Sequence, residues 1–101
     1  MAVKHKFNAR RTECDGISFT SKKEARYYQA LCLRQKAGEV LFFLRQVPFH
    51  LPGNVRYVVD FAEFLSDGTV CFVDVKGMKT EQYKTKKKLV EALYPIQIVE
   101  A

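Results

Sequence analysis

Apolar residues along the chain fall at two spacings, and the changes between them mark the elements. From Lys22 to about Ala37 they recur every three or four residues, at Ala25, Tyr28, Leu31 and Cys32, the stripe of an amphipathic helix. Ser21 and Glu24 have capping-box spacing, and Gly38 ends the run. Val40 to Leu51 is apolar and β-prone, but Pro48 and Pro52 confine it to a sheet edge or a strand end, so a strand is predicted over about residues 40–49. Pro52-Gly53-Asn54 is a turn. Two further strands, Arg56 to Leu65 and Thr69 to Lys76, flank the hairpin signal Ser66-Asp67-Gly68, and Gly77 closes the second. Thr80 to Leu93 reads as a second helix, with Tyr83, Lys86, Leu89, Val90 and Leu93 spaced for one face. Pro95 follows it, and Ile96 to Val99 is a last short strand. A strand, a helix and a strand in this succession imply a right-handed crossover and parallel pairing. The order αβββαβ predicts an α/β fold: a mixed central sheet flanked by helices. Residues 1–15 are polar and basic and read as an N-terminal arm with little structure of its own, before a domain over 16–101. Asp15-Gly16-Ile17-Ser18-Phe19 looks like a turn and a short extended piece.

Two strands carry charges in the wrong company. Asp60 interrupts Tyr57-Val58-Val59, and Asp74 and Lys76 interrupt Phe72-Val73-Asp74-Val75-Lys76-Gly77. With a side-chain period of two, Asp74 and Lys76 point to one face. Buried charges are costly unless paired or bound to a metal. Two carboxylates suit a hard cation such as Mg²⁺, and a lysine beside them suits a water nucleophile or a developing phosphate charge. Whether the acids meet depends on the hairpin loop. A two-residue Asp67-Gly68 loop sets Asp60 opposite Val75 and sends Asp74 to the other face. A three-residue loop with Gly68 left-handed pairs Leu65 with Thr69 and sets Asp60 opposite Asp74. Removing either acid then relieves like-charge repulsion, so the metal-free protein is expected to hold or gain stability. Glu24 reads either as the capping-box acid or as a third carboxylate at the ion. His50 is isolated and reads as structural or surface.

A chain of 101 residues holds one small domain. Net charge of +6 favours acidic partners, nucleic acid first. The basic residues cluster on either side of the acids, from Lys4 to Arg26 and from Lys76 to Lys88. A run such as Lys84 to Lys88 can also be a solvated helix face. No zinc-finger spacing or RNA-reading aromatic signature appears. Cys14, Cys32 and Cys71 are odd in number and lack C-x-x-C pairing, so they read as reduced thiols of a cytoplasmic protein. Early charges argue against a signal peptide, and no apolar run is long enough to span a bilayer.

Asp60, then Asp74-Val75-Lys76, with Glu24 on an early helix, resembles the PD-(D/E)xK nuclease superfamily, whose restriction-endonuclease-like core has the same αβββαβ order. More narrowly, Asp15 to Ala25 and Asp74-Val75-Lys76-Gly77 look like a family of small phage-encoded nucleases similar to phage endonuclease I and Holliday-junction resolvases. The likeness runs from about Arg11 to Val99. It implies Asp60 and Asp74 as ligands of Mg²⁺ or Mn²⁺, with the Val75 carbonyl, Lys76 as catalytic lysine and Glu24 completing the site. It also implies branched DNA as substrate, in the cytoplasm of a bacterial host, and the basic clusters offer Arg10, Arg11, Lys22, Lys23, Lys79, Lys84, Lys87 and Lys88 as its contacts. Val59 stands where the motif's name has proline, but that proline is no ligand. Non-catalytic and structural phage proteins with the same fold are the rivals. Cutting a two-fold junction needs two sites, so a homodimer is expected. Tyr27 and Leu33 of the first helix and Leu41 to Leu44 of the edge strand are its candidate surface.

Overall fold

A computed structural model describes residues 11–75 and 77–101. The chain starts in a hairpin, β1 (Thr12–Cys14) paired antiparallel with β2 (Ile17–Phe19). Asp15 and Gly16 turn it with φ of 53° and 76°. Two left-handed residues in succession are what a tight two-residue hairpin demands. The end of the expected arm is therefore folded from Thr12 onward, and residues 1–10 lie outside the described residues.

Helix α1 (Lys22–Lys36) follows, with the Ser21 side chain accepting from the Glu24 amide at 3.1 Å. Gly38, at φ 85°, turns the chain into β3 (Val40–Leu51). Strands β4 (Val55–Leu65) and β5 (Val70–Asp74), helix α2 (Glu81–Leu93) and strand β6 (Ile98–Glu100) complete the chain. The main sheet has the order β3-β4-β5-β6, antiparallel except for the parallel β5–β6 pair. This is a single-domain α/β fold with a mixed sheet and the αβββαβ order. The proline-bearing β3 lies at the edge, where a missing N–H disturbs no central ladder. Between β4 and β5 the Leu65 amide donates to Thr69 O at 2.9 Å, and Gly68 has φ 90°. This is the three-residue loop.

Two apolar clusters sit under the two helices. Phe19, Ala25, Tyr28, Leu31, Val40, Phe61, Val73 and Val75 form one, with α1. Leu51, Tyr57, Val59, Tyr83, Val90 and Ile98 form the other, with α2. Val59 and Phe61 should share a face of β4, yet they enter different clusters. The alternation breaks at Asp60. Across the ladder the pairs Arg45–Phe61 and Val47–Val59 bracket Gln46, which has φ 55°. A non-glycine residue held there is strained, and such residues gather at functional sites.

Two expectations change. In α2 only Tyr83 and Val90 are buried, while Leu89 and Leu93 are 42% and 53% exposed. The helix meets the second cluster along a seam two turns long, too narrow for the wider stripe. In α1, Tyr27 is no free surface: its hydroxyl donates to Glu63 and its ring lies 5.3 Å from Phe61. Burial, and then the Glu63 hydrogen bond, push its phenol well above the ordinary range. Glu63 is buried and also receives Arg34 Nη1 at 3.1 Å, so this charge inside the sheet is paired. Among the described residues no helix is long and apolar enough to cross a membrane.

Candidate active site

The β4–β5 ladder pairs Phe64 with Val70 through Phe61 with Val73. One more step sets Asp60 opposite Asp74, as the three-residue loop requires. There the side chains take over from the backbone. The Asp60 amide donates to Asp74 Oδ1 at 3.0 Å, and the Val75 amide donates to Asp60 Oδ2 at 2.8 Å. Asp74 is 0% exposed, and its Oδ2 accepts from the Tyr57 hydroxyl. Tyr83 is near enough to feel it: burial, then its bond to Glu100, then the Asp74 charge hold the Tyr83 phenol well above its ordinary value.

Glu24 reaches the same region from α1. It is 4% exposed, and Thr20 Oγ1 donates to its Oε1 at 2.9 Å. The Gln46 amide nitrogen contacts Glu24 Oε2 at 3.3 Å and, at longer range, Asp60 Oδ1 at 3.5 Å. Both readings of Glu24 thus hold together: its backbone amide is capped by Ser21 while its carboxylate faces Gln46. At the break, Gln46 bridges Asp60 and the Glu24 carboxylate carried by α1. A cleft of about 450 Å³ is lined here by Glu24, Gln46, Asp60, Arg11, Arg45 and Thr20.

Glu24 of α1 and Asp60 of β4 line the cleft, Asp74 of β5 is fully buried beside Asp60, and all three offer hard oxygens; among the described residues no thiol or imidazole lines the cleft. That chemistry fits a hard divalent cation. As they stand, the acids are linked in pairs through N–H donors, and among the described residues no three His, Cys, Asp or Glu side chains cluster to hold one ion. Lys76 and Arg10 lie outside the described residues, so their expected roles have no counterpart in this geometry. Val75 is buried, and its amide is committed to Asp60.

Arg11 lines the cleft, with Nε donating to Ser18 Oγ at 2.9 Å. Lys22 and Lys23 are exposed on the first turn of α1. The other basic residues gather apart from the cleft. Lys79, Lys84, Lys87 and Lys88 border a concavity of about 330 Å³ along α2. Lys79 pairs with Glu100 at 3.0 Å, Lys84 with Glu81 at 3.2 Å and Lys87 with Glu91 at 3.2 Å. Much of this lysine charge is therefore balanced locally. His50 is exposed, as its isolation suggested.

Sequence reasoning missed Gln46, Tyr57 and Arg45. Gln46 reads as a polar member of an edge strand, and Tyr57 as an ordinary strand aromatic. The one available signal was two polar residues in succession, Arg45-Gln46, inside an otherwise apolar run. A family model described as "Protein of unknown function (DUF1064)" matches residues 4–99. No curated protein and no solved structure matches the chain. The match spans nearly the whole chain, which belongs to the DUF1064 family.

Proposed function

We propose that this chain is a Mg²⁺- or Mn²⁺-dependent DNA endonuclease of the PD-(D/E)xK type, acting on branched DNA in the cytoplasm of a bacterial host. The observation that carries the reading is the Asp60–Asp74 pair: two acids opposed across an antiparallel ladder, with Glu24 joined to Asp60 through Gln46. Like charges so close are destabilising unless something positive serves them. Asp60, Asp74, the Val75 carbonyl and Glu24 would hold the cation. When bound, it would activate water and offset charge on the leaving oxygen. Gln46 orients Glu24 and Asp60, and Tyr57 holds Asp74 from within the α2 cluster. Lys76, two residues beyond Asp74, is assigned the nucleophile or the phosphate from its place in the sequence and the resemblance. The lysines along α2 and those at the start of α1 would track the DNA backbone.

A second reading has its own observation. All four carboxylate oxygens of Asp60 and Asp74 already accept from the chain: from Gln46, Val75, Asp60 and Tyr57. A DNA-binding protein that keeps the fold without the activity needs no more than that. Incubation with a four-way junction and a matched linear duplex, each with Mg²⁺ or EDTA, separates the two. Metal-dependent cuts, more frequent on the junction, are expected. Binding without cutting under either condition would favour the second reading.

We also propose a homodimer through β3. Leu41 and Leu44 are 60% and 48% exposed on this edge strand, and Phe42 stacks on Phe64 at 4.3 Å beside them. An apolar, unpaired edge is a pairing surface unless it is covered.

A further inference from the structure

Arg45 stands one residue before the break in β3 and lines the same cleft as Glu24 and Asp60. Its guanidinium lies over the buried ring of Phe19, 4.6 Å from the centroid. A contact of the cation with the ring gives the N–H donors of the guanidinium no acceptor. Among the described residues its Nε is buried with no hydrogen-bond partner, and Arg45 forms no ion pair. A charged donor left unsatisfied in the fold is costly and calls for a reason. The neighbouring acids do not receive it as they stand: their oxygens accept from Thr20, Gln46, Val75, Tyr57 and the Asp60 amide. Arg11, just before the hairpin that supplies Phe19, brings a second guanidinium to the cleft. Guanidinium groups that form no ion pair among the described residues suit a phosphodiester, which takes two parallel N–H bonds from one guanidinium.

We infer that Arg45 is a phosphodiester-binding residue of this cleft, pre-set by stacking on Phe19 so that a DNA phosphate lies against Glu24 and Asp60. The inference rests on the nuclease reading for its substrate. Its test needs no cleavage. Duplex DNA binding is measured in EDTA by fluorescence anisotropy for the wild-type chain, Arg45→Met and Arg45→Lys. Thermal melting and the ¹⁵N–¹H signal of Arg45 Nε are followed alongside. Met keeps the stem on Phe19 without charge or donors, and Lys keeps the charge without the planar fork. Both variants should bind more weakly, Met by about tenfold or more, with a salt dependence reduced by about one phosphate. Melting should be unchanged or higher, because an unsatisfied donor is gone. DNA should move the Nε signal well beyond what inorganic phosphate does at equal concentration. Wild-type affinity in Arg45→Met, with or without a fall in melting temperature, would overturn the inference in favour of a purely structural stack on Phe19. An equal response to inorganic phosphate would overturn it in favour of a free-anion site. A wild-type chain that binds DNA through Arg45 but never cuts it would defeat the nuclease reading and leave Arg45 in place.

Discussion

Asp74 Oδ1 accepts the backbone amide of Asp60 at 3.0 Å, so a side-chain carboxylate holds β4 to β5 just beyond the end of their ladder. Asp60 returns the contact by accepting the next amide, that of Val75, at 2.8 Å. The pair is thus a structural join as well as a candidate site.

That double duty changes what substitution should do. Charge repulsion alone says that Asp74→Asn holds or gains stability. But Asp74 is fully buried between the Asp60 amide and the Tyr57 hydroxyl, both donating to it. Asparagine supplies one acceptor and turns a donor toward the other partner. We expect a loss of about 1–2 kcal/mol, seen as a melting temperature lower by roughly 5–15 °C. Asp60→Asn keeps an acceptor for Val75 and should change melting little. Equal melting for both variants would show that the buried bonds to Asp74 contribute nothing.

Gln46 offers a separation of stability from function. Its φ of 55° suits glycine better than glutamine. Gln46→Gly should therefore keep stability within about 1 kcal/mol, while releasing Glu24 and Asp60 and slowing cleavage about tenfold or more. Gln46→Ala keeps the backbone strain and should be the less stable of the two. Unchanged cleavage in Gln46→Gly would remove Gln46 from the site.

The join between α2 and β6 should set the acid limit of the fold. Glu91 accepts the Ile98 amide at 2.8 Å and pairs with Lys87 at 3.2 Å, and these hold its carboxyl below the usual range. A lowered folded pKa gives stability that is complete above the unfolded value, about 4.3, and lost as pH falls through the lower folded value. Glu91→Gln should melt lower at neutral pH and lose less on acidification than the wild type. Parallel acid profiles would rule this carboxylate out as a source of the pH dependence.

The edge strand should control assembly. Replacing Leu41 and Leu44 together by glutamate should turn a dimer seen by light scattering at micromolar concentration into a monomer, since unlike β3 a charged edge resists pairing. A wild-type chain that is already monomeric yet makes paired cuts in a junction would contradict the dimer.

Much of this was legible in the residues themselves. Gly68 after Ser66-Asp67 allowed a left-handed loop end, and that loop length alone aligned Asp60 with Asp74. Pro48 placed β3 at the edge because a sheet interior cannot spare the N–H. The break at Gln46 and Asp60 was not legible, because period-two reasoning assumes that every strand residue keeps its face. Val59 and Phe61 have the same chemistry whether they share a cluster or divide between two. The first hairpin was hidden by its composition: the polar basic run ending at Asp15 reads as an arm, although Asp15-Gly16 is itself a hairpin turn. Tyr57 was hidden by being an ordinary strand residue until its hydroxyl met Asp74.

The central claim is that Asp60 and Asp74 hold a divalent cation for DNA cleavage. The most direct measurement is cleavage of one four-way junction by the wild-type chain and by Asp60→Asn, each with Mg²⁺ and with EDTA, alongside melting curves that show both folded. The expected result is cutting by the wild type with Mg²⁺ alone, and loss of cutting by Asp60→Asn at unchanged melting and DNA affinity. Cutting that persists in EDTA or in Asp60→Asn, or a wild-type chain that never cuts with Mg²⁺ or Mn²⁺, would contradict it.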